Sequence, residues 1–65
     1  MILTMDIGNT NIKTALFDDM EMVQYWRIST NRNMSSDEYG MILMNLFAHN
    51  HISTDVVKGI MISSV

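Results

Sequence analysis

The sequence contains no cysteine, no proline, three glycines and four basic residues. Without cysteine there is neither a disulfide staple nor a thiolate metal site, and the lack fits a reducing compartment. With no proline, no repeat and no low-complexity tract, nothing marks a linker. The basic residues, Lys13, Arg27, Arg32 and Lys58, are scattered, the net charge is −3 and the pI is about 4.9. Nucleic acid as a main partner wants a basic patch, so that class is set aside. No apolar run approaches the roughly 20 residues that span a bilayer, so no membrane partner is expected. The opening Met-Ile-Leu-Thr-Met-Asp lacks the basic stretch and long apolar core of a signal peptide, and the expected location is cytoplasmic. The glycosylation triplet Asn33-Met34-Ser35 is then a chance match.

What is present is a chain of 65 residues, 48% hydrophobic, which is globular rather than disordered in character. Residues 2–7 are apolar on both sides apart from Thr4 and Asp6, which reads as a central strand covered on both faces. Gly8, Asn9 and Thr10 form a turn, since glycine and asparagine tolerate the positive φ of a tight reversal. Residues 11–17 make a second strand, with Ile12, Thr14 and Leu16 on one face. Asp18, Asp19 and Met20 turn the chain again. Residues 21–29 make a third strand, rich in residues that pack on a pleated surface. Three strands joined by two short turns give an antiparallel meander.

After a polar loop, Ser35 with Glu38 three positions on has the form of a capping box, so a helix starts there. Tyr39, Ile42, Leu43, Leu46 and Phe47 recur at the spacing of one helical face, and the helix ends near His49 or Asn50. Gly40 costs it roughly 1 kcal/mol against alanine, which either is tolerated or marks a close approach. A short helical turn over 53–57 leads through Gly59 into a last strand over 60–65. A helix between strands of one sheet favours a parallel, right-handed crossover, so the last strand lies parallel to the first. The expected fold class is α/β, the first half of a ribonuclease-H-like domain of the actin-like ATPase type: a three-stranded antiparallel meander, a helix and a parallel strand.

That domain is expected to be incomplete over residues 1–65. The last strand reaches Val65 with no turn or cap, and Met41, Met44 and Ala48 give the helix a second apolar stripe. A helix apolar nearly all round is normally buried all round, and four strands and one helix cannot do that. A remainder of the protein or a partner chain would cover these surfaces. The eight methionines read as flexible core fillers.

The chemistry is concentrated in Asp6-Ile7-Gly8-Asn9-Thr10-Asn11-Ile12-Lys13. Asp6 is suited to hydrated Mg²⁺, which takes one or two carboxylates and keeps most of its waters. Gly8 lets the backbone approach a phosphate. The N–H groups of residues 8–11 can form a concave anion site, and the side chains of Asn9, Thr10 and Asn11 add donors. Lys13 brings a compact positive charge for a β- or γ-phosphate, and it shares a strand face with Asn11. Gly-Asn is also an ordinary hairpin turn. An aspartate inside an apolar strand is harder to assign to structure alone, because a buried carboxylate must be paired or functional.

The string from Asp6 to Lys13 resembles the first phosphate motif of the type III pantothenate kinases, in the superfamily of acetate kinase, sugar kinases, actin and heat-shock ATPases. Leu16-Phe17-Asp18, Trp26-Arg27-Ile28-Ser29-Thr30, Asp37-Glu38-Tyr39-Gly40 and Ile62-Ser63-Ser64-Val65 are similar to type III sequences in the same order and spacing. The resemblance covers the whole chain. It implies transfer of the γ-phosphoryl group of ATP to the 4′-hydroxyl of pantothenate, the first step towards coenzyme A. It also implies Mg²⁺, a monovalent cation (K⁺ or NH₄⁺) and a homodimer with sites near the subunit interface. Asp6, Gly8, Asn9, Thr10 and Lys13 match the ATP motif, with Ile7, Asn11 and Ile12 inside it. The general-base aspartate, the second phosphate motif and the pantothenate-binding residues are expected beyond Val65, so residues 1–65 alone are expected to be inactive. Two other readings are a non-catalytic regulatory relative and another ATPase of the superfamily.

Other residues carry weaker signals. His49 and His51 suggest a metal pair or surface histidines near a helix C-terminus. Asp18 and Asp19 are turn formers or a carboxylate pair. Trp26 is core or interface, and Arg27 pairs with Glu21 or another carboxylate. Ser63 and Ser64 end a strand beside the first, so they are placed to line the cleft at its carboxyl end.

Overall fold

The computed structural model describes residues 1–64; Val65, expected to end the last strand, lies outside the described residues. The elements are β1 (Ile2–Ile7), β2 (Asn11–Asp18), β3 (Glu21–Ser29), α1 (Ser36–His49), a 3₁₀ turn (Thr54–Val56) and β4 (Gly59–Ser64). The sheet order is β3-β2-β1-β4. β1 pairs antiparallel with β2 and parallel with β4, and β2 pairs antiparallel with β3. The meander, the helix and the parallel return stand as the hydrophobic pattern predicts. Among the described residues no helix is long and apolar enough to cross a membrane.

The turns depart from expectation in one respect. The reversal after Ile7 contains no positive φ; the positive values fall at Asp19 (55°) and His51 (59°). Gly8 is needed there for space instead, because a Cβ on it would stand 3.0 Å from the carbonyl oxygen of Asn11. The reversal after Asp18 uses Asp19 in the left-handed region, where a short polar side chain is tolerated.

Both ends of α1 are defined by local chemistry. At the N-terminus the Ser35 N–H donates to Glu38 Oε1 at 2.9 Å and the Glu38 N–H donates to Ser35 Oγ at 3.2 Å, closing the capping box. At the C-terminus the His51 N–H donates to the Ala48 carbonyl and the Ile52 N–H donates to the Phe47 carbonyl. With His51 left-handed, this is the Schellman arrangement that stops a helix. His51 thus has a structural role, and among the described residues no group of three or more potential ligands could hold a metal ion.

Packing joins the C-terminal half of α1 to one face of the sheet. Leu3, Leu16 and Phe47 are buried together, with Met1, Trp26, Ile52, Val56 and Val57 packed against them. The Trp26 and Phe47 rings are tilted at 38° with centroids 5.3 Å apart, which places Trp26 in the core. Gln24 Nε2 donates to Asn50 Oδ1 at 2.8 Å, and Asn50 Nδ2 donates to the Leu46 carbonyl at 2.7 Å, tying the helix end to β3. Among the described residues the opposite sheet face has no such layer, so β1 is covered on one side rather than two, with Ile2 and Asp6 exposed. Met41 and Met44 on the outer helix stripe are 65% and 63% exposed, so the second stripe predicted from the sequence lies bare. Of the two readings of Gly40, tolerance holds: a Cβ there would meet nothing within 4 Å.

The capping box gives a pH-dependent test. The Ser35 backbone N–H and then its hydroxyl hold the Glu38 carboxyl below its usual range. A carboxyl lowered in this way contributes fully above its unfolded pKa and loses its contribution as pH falls through the folded one. Ser35→Ala should lower stability by about 1 kcal/mol at neutral pH. Glu38→Gln should remove one part of the acid sensitivity of helix content, followed by circular dichroism down to about pH 3, below the ordinary glutamate range. An acid profile unchanged by Glu38→Gln would show that the capping box is energetically silent.

Candidate functional site

The pairing of the strands builds a polar row. Asp6 lies opposite Lys13 on β2 and beside Ser63 on β4, and Lys13 lies opposite Arg27 on β3. Directly paired residues share a sheet face, so Arg27, Lys13, Asp6 and Ser63 cross the sheet in line. Leu3, three residues before Asp6 and so on the opposite sheet face, belongs to the side packed under α1. The row therefore occupies the open face. Of the two partners expected for Arg27, Glu21 or another carboxylate, Glu21 stands six residues from it on an extended strand, about 20 Å away, which rules that pair out. The neighbour of Arg27 is Lys13.

At the turn end of this row a cleft of about 170 Å³ is lined by Asp6, Gly8, Thr10, Asn11 and Lys13. Asp6 is exposed rather than buried, so the desolvation argument for its function does not hold; its signal is its position. Its Oδ1 accepts a hydrogen bond from Ser63 Oγ at 3.2 Å. That leaves the carboxylate otherwise open to water, as a site for a hydrated cation requires. Asp6 and Ser63 also border a neighbouring hollow of about 250 Å³ along β1 and β4. Ser63 therefore meets the cleft only through Asp6, and neither Ser63 nor Ser64 lines it.

The turn is held from several sides. The Gly8 N–H donates to the Asn11 carbonyl at 2.9 Å, so of the four amides expected to form an anion nest this one is already engaged. The N–H groups of Asn9 and Thr10 have no backbone acceptor among the described residues. Asn11 Nδ2 donates to Thr10 Oγ1 at 3.1 Å, ordering two of the polar side chains. Thr30, just past β3, donates from its hydroxyl to the Gly8 carbonyl and from its N–H to the Thr10 carbonyl, both at 2.9 Å.

Not every residue of the 6–13 string faces the cleft. Asn9 is exposed at the tip of the turn. Ile7 and Ile12 point to the helix side, where they line an apolar groove of about 470 Å³ with Met5, Tyr39, Gly40 and Leu43. In the structure they anchor the turn to the body of the domain, and Ile12 is buried. Thr30 was missed as a contributor because its partners are backbone carbonyls, which leave no mark in residue spacing.

The family model described as type III pantothenate kinase matches residues 2–65. The chain belongs to the type III pantothenate kinase family. Among curated relatives of the family, a protein named type III pantothenate kinase from Exiguobacterium sp. (strain AT1b) is 48% identical over all 65 residues. One of the same name from Exiguobacterium sibiricum is 43% identical over the same span. The chain covers 26% of the length of each of these relatives. The family resemblance and the α/β fold inferred from the sequence therefore stand.

Gly8 offers a direct test of the turn. Gly8→Ala forces a Cβ to 3.0 Å from the Asn11 carbonyl that accepts the Gly8 N–H. The variant should lose about 1 kcal/mol of stability, the worth of one backbone hydrogen bond. Amide exchange at position 8 should also be faster than in the unaltered protein. Unchanged exchange would mean that the turn opens without cost.

Proposed function

We propose that the full-length protein carrying these residues transfers the γ-phosphoryl group of ATP to the 4′-hydroxyl of pantothenate, at the entry to coenzyme A synthesis. The observation that carries this reading is the cleft where Asp6, Gly8, Thr10, Asn11 and Lys13 converge, in a chain of the type III family. Gly8 gives close backbone access, the turn supplies amide and hydroxyl donors, and Lys13 supplies charge for the β- or γ-phosphate. Asn9 adds a side-chain donor at the rim, and Ile7 and Ile12 hold the turn from below. Phosphoryl transfer is mostly positioning and charge stabilisation, so such a cradle is half of what the reaction needs.

Mg²⁺ fits the residues present: Asp6 is a single exposed carboxylate, suited to hold the ion through water while ATP phosphates complete its shell. The reading further includes a monovalent cation, K⁺ or NH₄⁺, a homodimer and a cytoplasmic setting. The general base and pantothenate-binding residues are assigned to no position within 1–65. The acidic balance and scattered basic residues support a small-molecule reaction without nucleic-acid or membrane partners.

The test is ADP release by the full-length protein with Mg²⁺-ATP and K⁺, with and without pantothenate. Release should require pantothenate, and Lys13→Ala should lower kcat/KM for ATP by at least about tenfold, the loss of one charge-assisted contact. Release independent of pantothenate would favour another ATPase of the superfamily. No release from folded protein would favour a regulatory relative.

A further inference from the structure

The turn that forms the cleft is fastened by a residue outside the 6–13 string. Thr30 holds two of its carbonyls, those of Gly8 and Thr10. A trans peptide is planar, so its carbonyl and the following N–H point in opposite directions, and the described chain has no cis bond. Drawing the Gly8 and Thr10 carbonyls towards Thr30 therefore turns the N–H groups of Asn9 and Asn11 away from it. The Gly8 N–H is already engaged by Asn11, and the Asn9 N–H has no backbone acceptor among the described residues. The Gly8–Asn9 peptide is thus held on its carbonyl side by a side-chain hydroxyl, which leaves the Asn9 N–H on the side away from Thr30.

Thr30 is in turn braced by α1. The Asn31 N–H donates to the Tyr39 hydroxyl at 2.7 Å, and that hydroxyl donates to the Asn31 carbonyl at 2.9 Å. Tyr39 directly follows Glu38 of the capping box, so the start of the helix fixes the backbone immediately after Thr30. Hydrogen bonds from the helix to Asn31 and from Thr30 to the turn are thus joined through the peptide bond between these two residues.

We infer that Thr30 is a positioning residue for anion binding at this turn, its hydroxyl holding the Gly8–Asn9 peptide so that the Asn9 N–H is presented to a nucleotide phosphate. The inference rests on the nucleotide reading of the turn and adds to it a residue that touches no ligand.

The experiment is steady-state kinetics of the full-length protein with Mg²⁺-ATP and pantothenate, comparing Thr30→Val, Thr30→Ser and Lys13→Ala. Valine keeps the size and β-branching of threonine and removes only the hydroxyl; serine keeps the hydroxyl. Thr30→Val should raise KM for ATP by about tenfold, equivalent to about 1.4 kcal/mol, and leave KM for pantothenate unchanged. Thr30→Ser should stay close to the unaltered protein. If Thr30→Val behaves like the unaltered protein while Lys13→Ala is impaired, the turn binds nucleotide without Thr30 and the inference is overturned. Equal impairment in the valine and serine variants also overturns it, because shape rather than the hydroxyl would then matter. No effect from either Lys13→Ala or Thr30→Val would instead reject the nucleotide reading itself. Should the valine variant not fold, Thr30→Ala is read against Thr30→Ser in the same way.

Discussion

Phe47 reaches the sheet where Leu3 and Leu16 meet, and this contact joins the helix and the strands into one body. Leu16 is fully buried and Phe47 is 3% exposed. Burying side chains of this size contributes about 1.5–3 kcal/mol each. Around the contact the other restraints are polar: Gln24 to Asn50 at the end of the helix, and Tyr39 to Asn31 near its start. Between these ends the helix stands off far enough to leave an apolar groove beside Gly40 and Leu43. The domain is thus anchored at one place and trimmed by hydrogen bonds elsewhere. The turn between β1 and β2 is held by the second kind of restraint.

That division explains the position of the site. β1 lies between β2 and β4, so its carboxyl end is flanked by a returning antiparallel strand and a parallel one. The antiparallel partner brings Lys13 opposite Asp6, and the parallel partner brings Ser63 beside it. Lys13 closes the same eight-residue string that Asp6 opens, whereas Ser63 is 57 residues away from Asp6 along the chain. The polar row exists because the register of three strand pairs agrees. A shift of one residue in any strand would send its member of the row to the helix side.

The fold was legible where periodicity and capping act locally. Residues 35–49 carry both a helical apolar face and a capping box, and the structure has both. β3 runs over the predicted residues, and β4 returns parallel to β1 as the crossover rule requires. The errors arose where solvent or space decides. Asp6 sits in an apolar string and reads as buried, yet the face it occupies is open. Gly8-Asn9 reads as a positive-φ turn, yet the chain reverses without one and glycine is required by the nearness of Asn11. Arg27 reads as a partner for Glu21 or another carboxylate, and the extended strand rules out the first of these. The hydroxyl of Thr14 is fully buried with no hydrogen-bond partner among the described residues, which no residue pattern announces. The candidate site was legible as a string, but which of its residues share a cleft depended on the strand register.

The central claim is that the turn between β1 and β2 receives the nucleotide phosphates. Its most direct test is an amide chemical-shift titration of the full-length protein with Mg²⁺ and a non-hydrolysable ATP analogue. The account predicts that the largest shifts fall on Asn9, Thr10, Asn11 and Lys13, with a smaller response at Thr30. Shifts concentrated instead along the groove at Leu43 and Tyr39, with the turn silent, would contradict it.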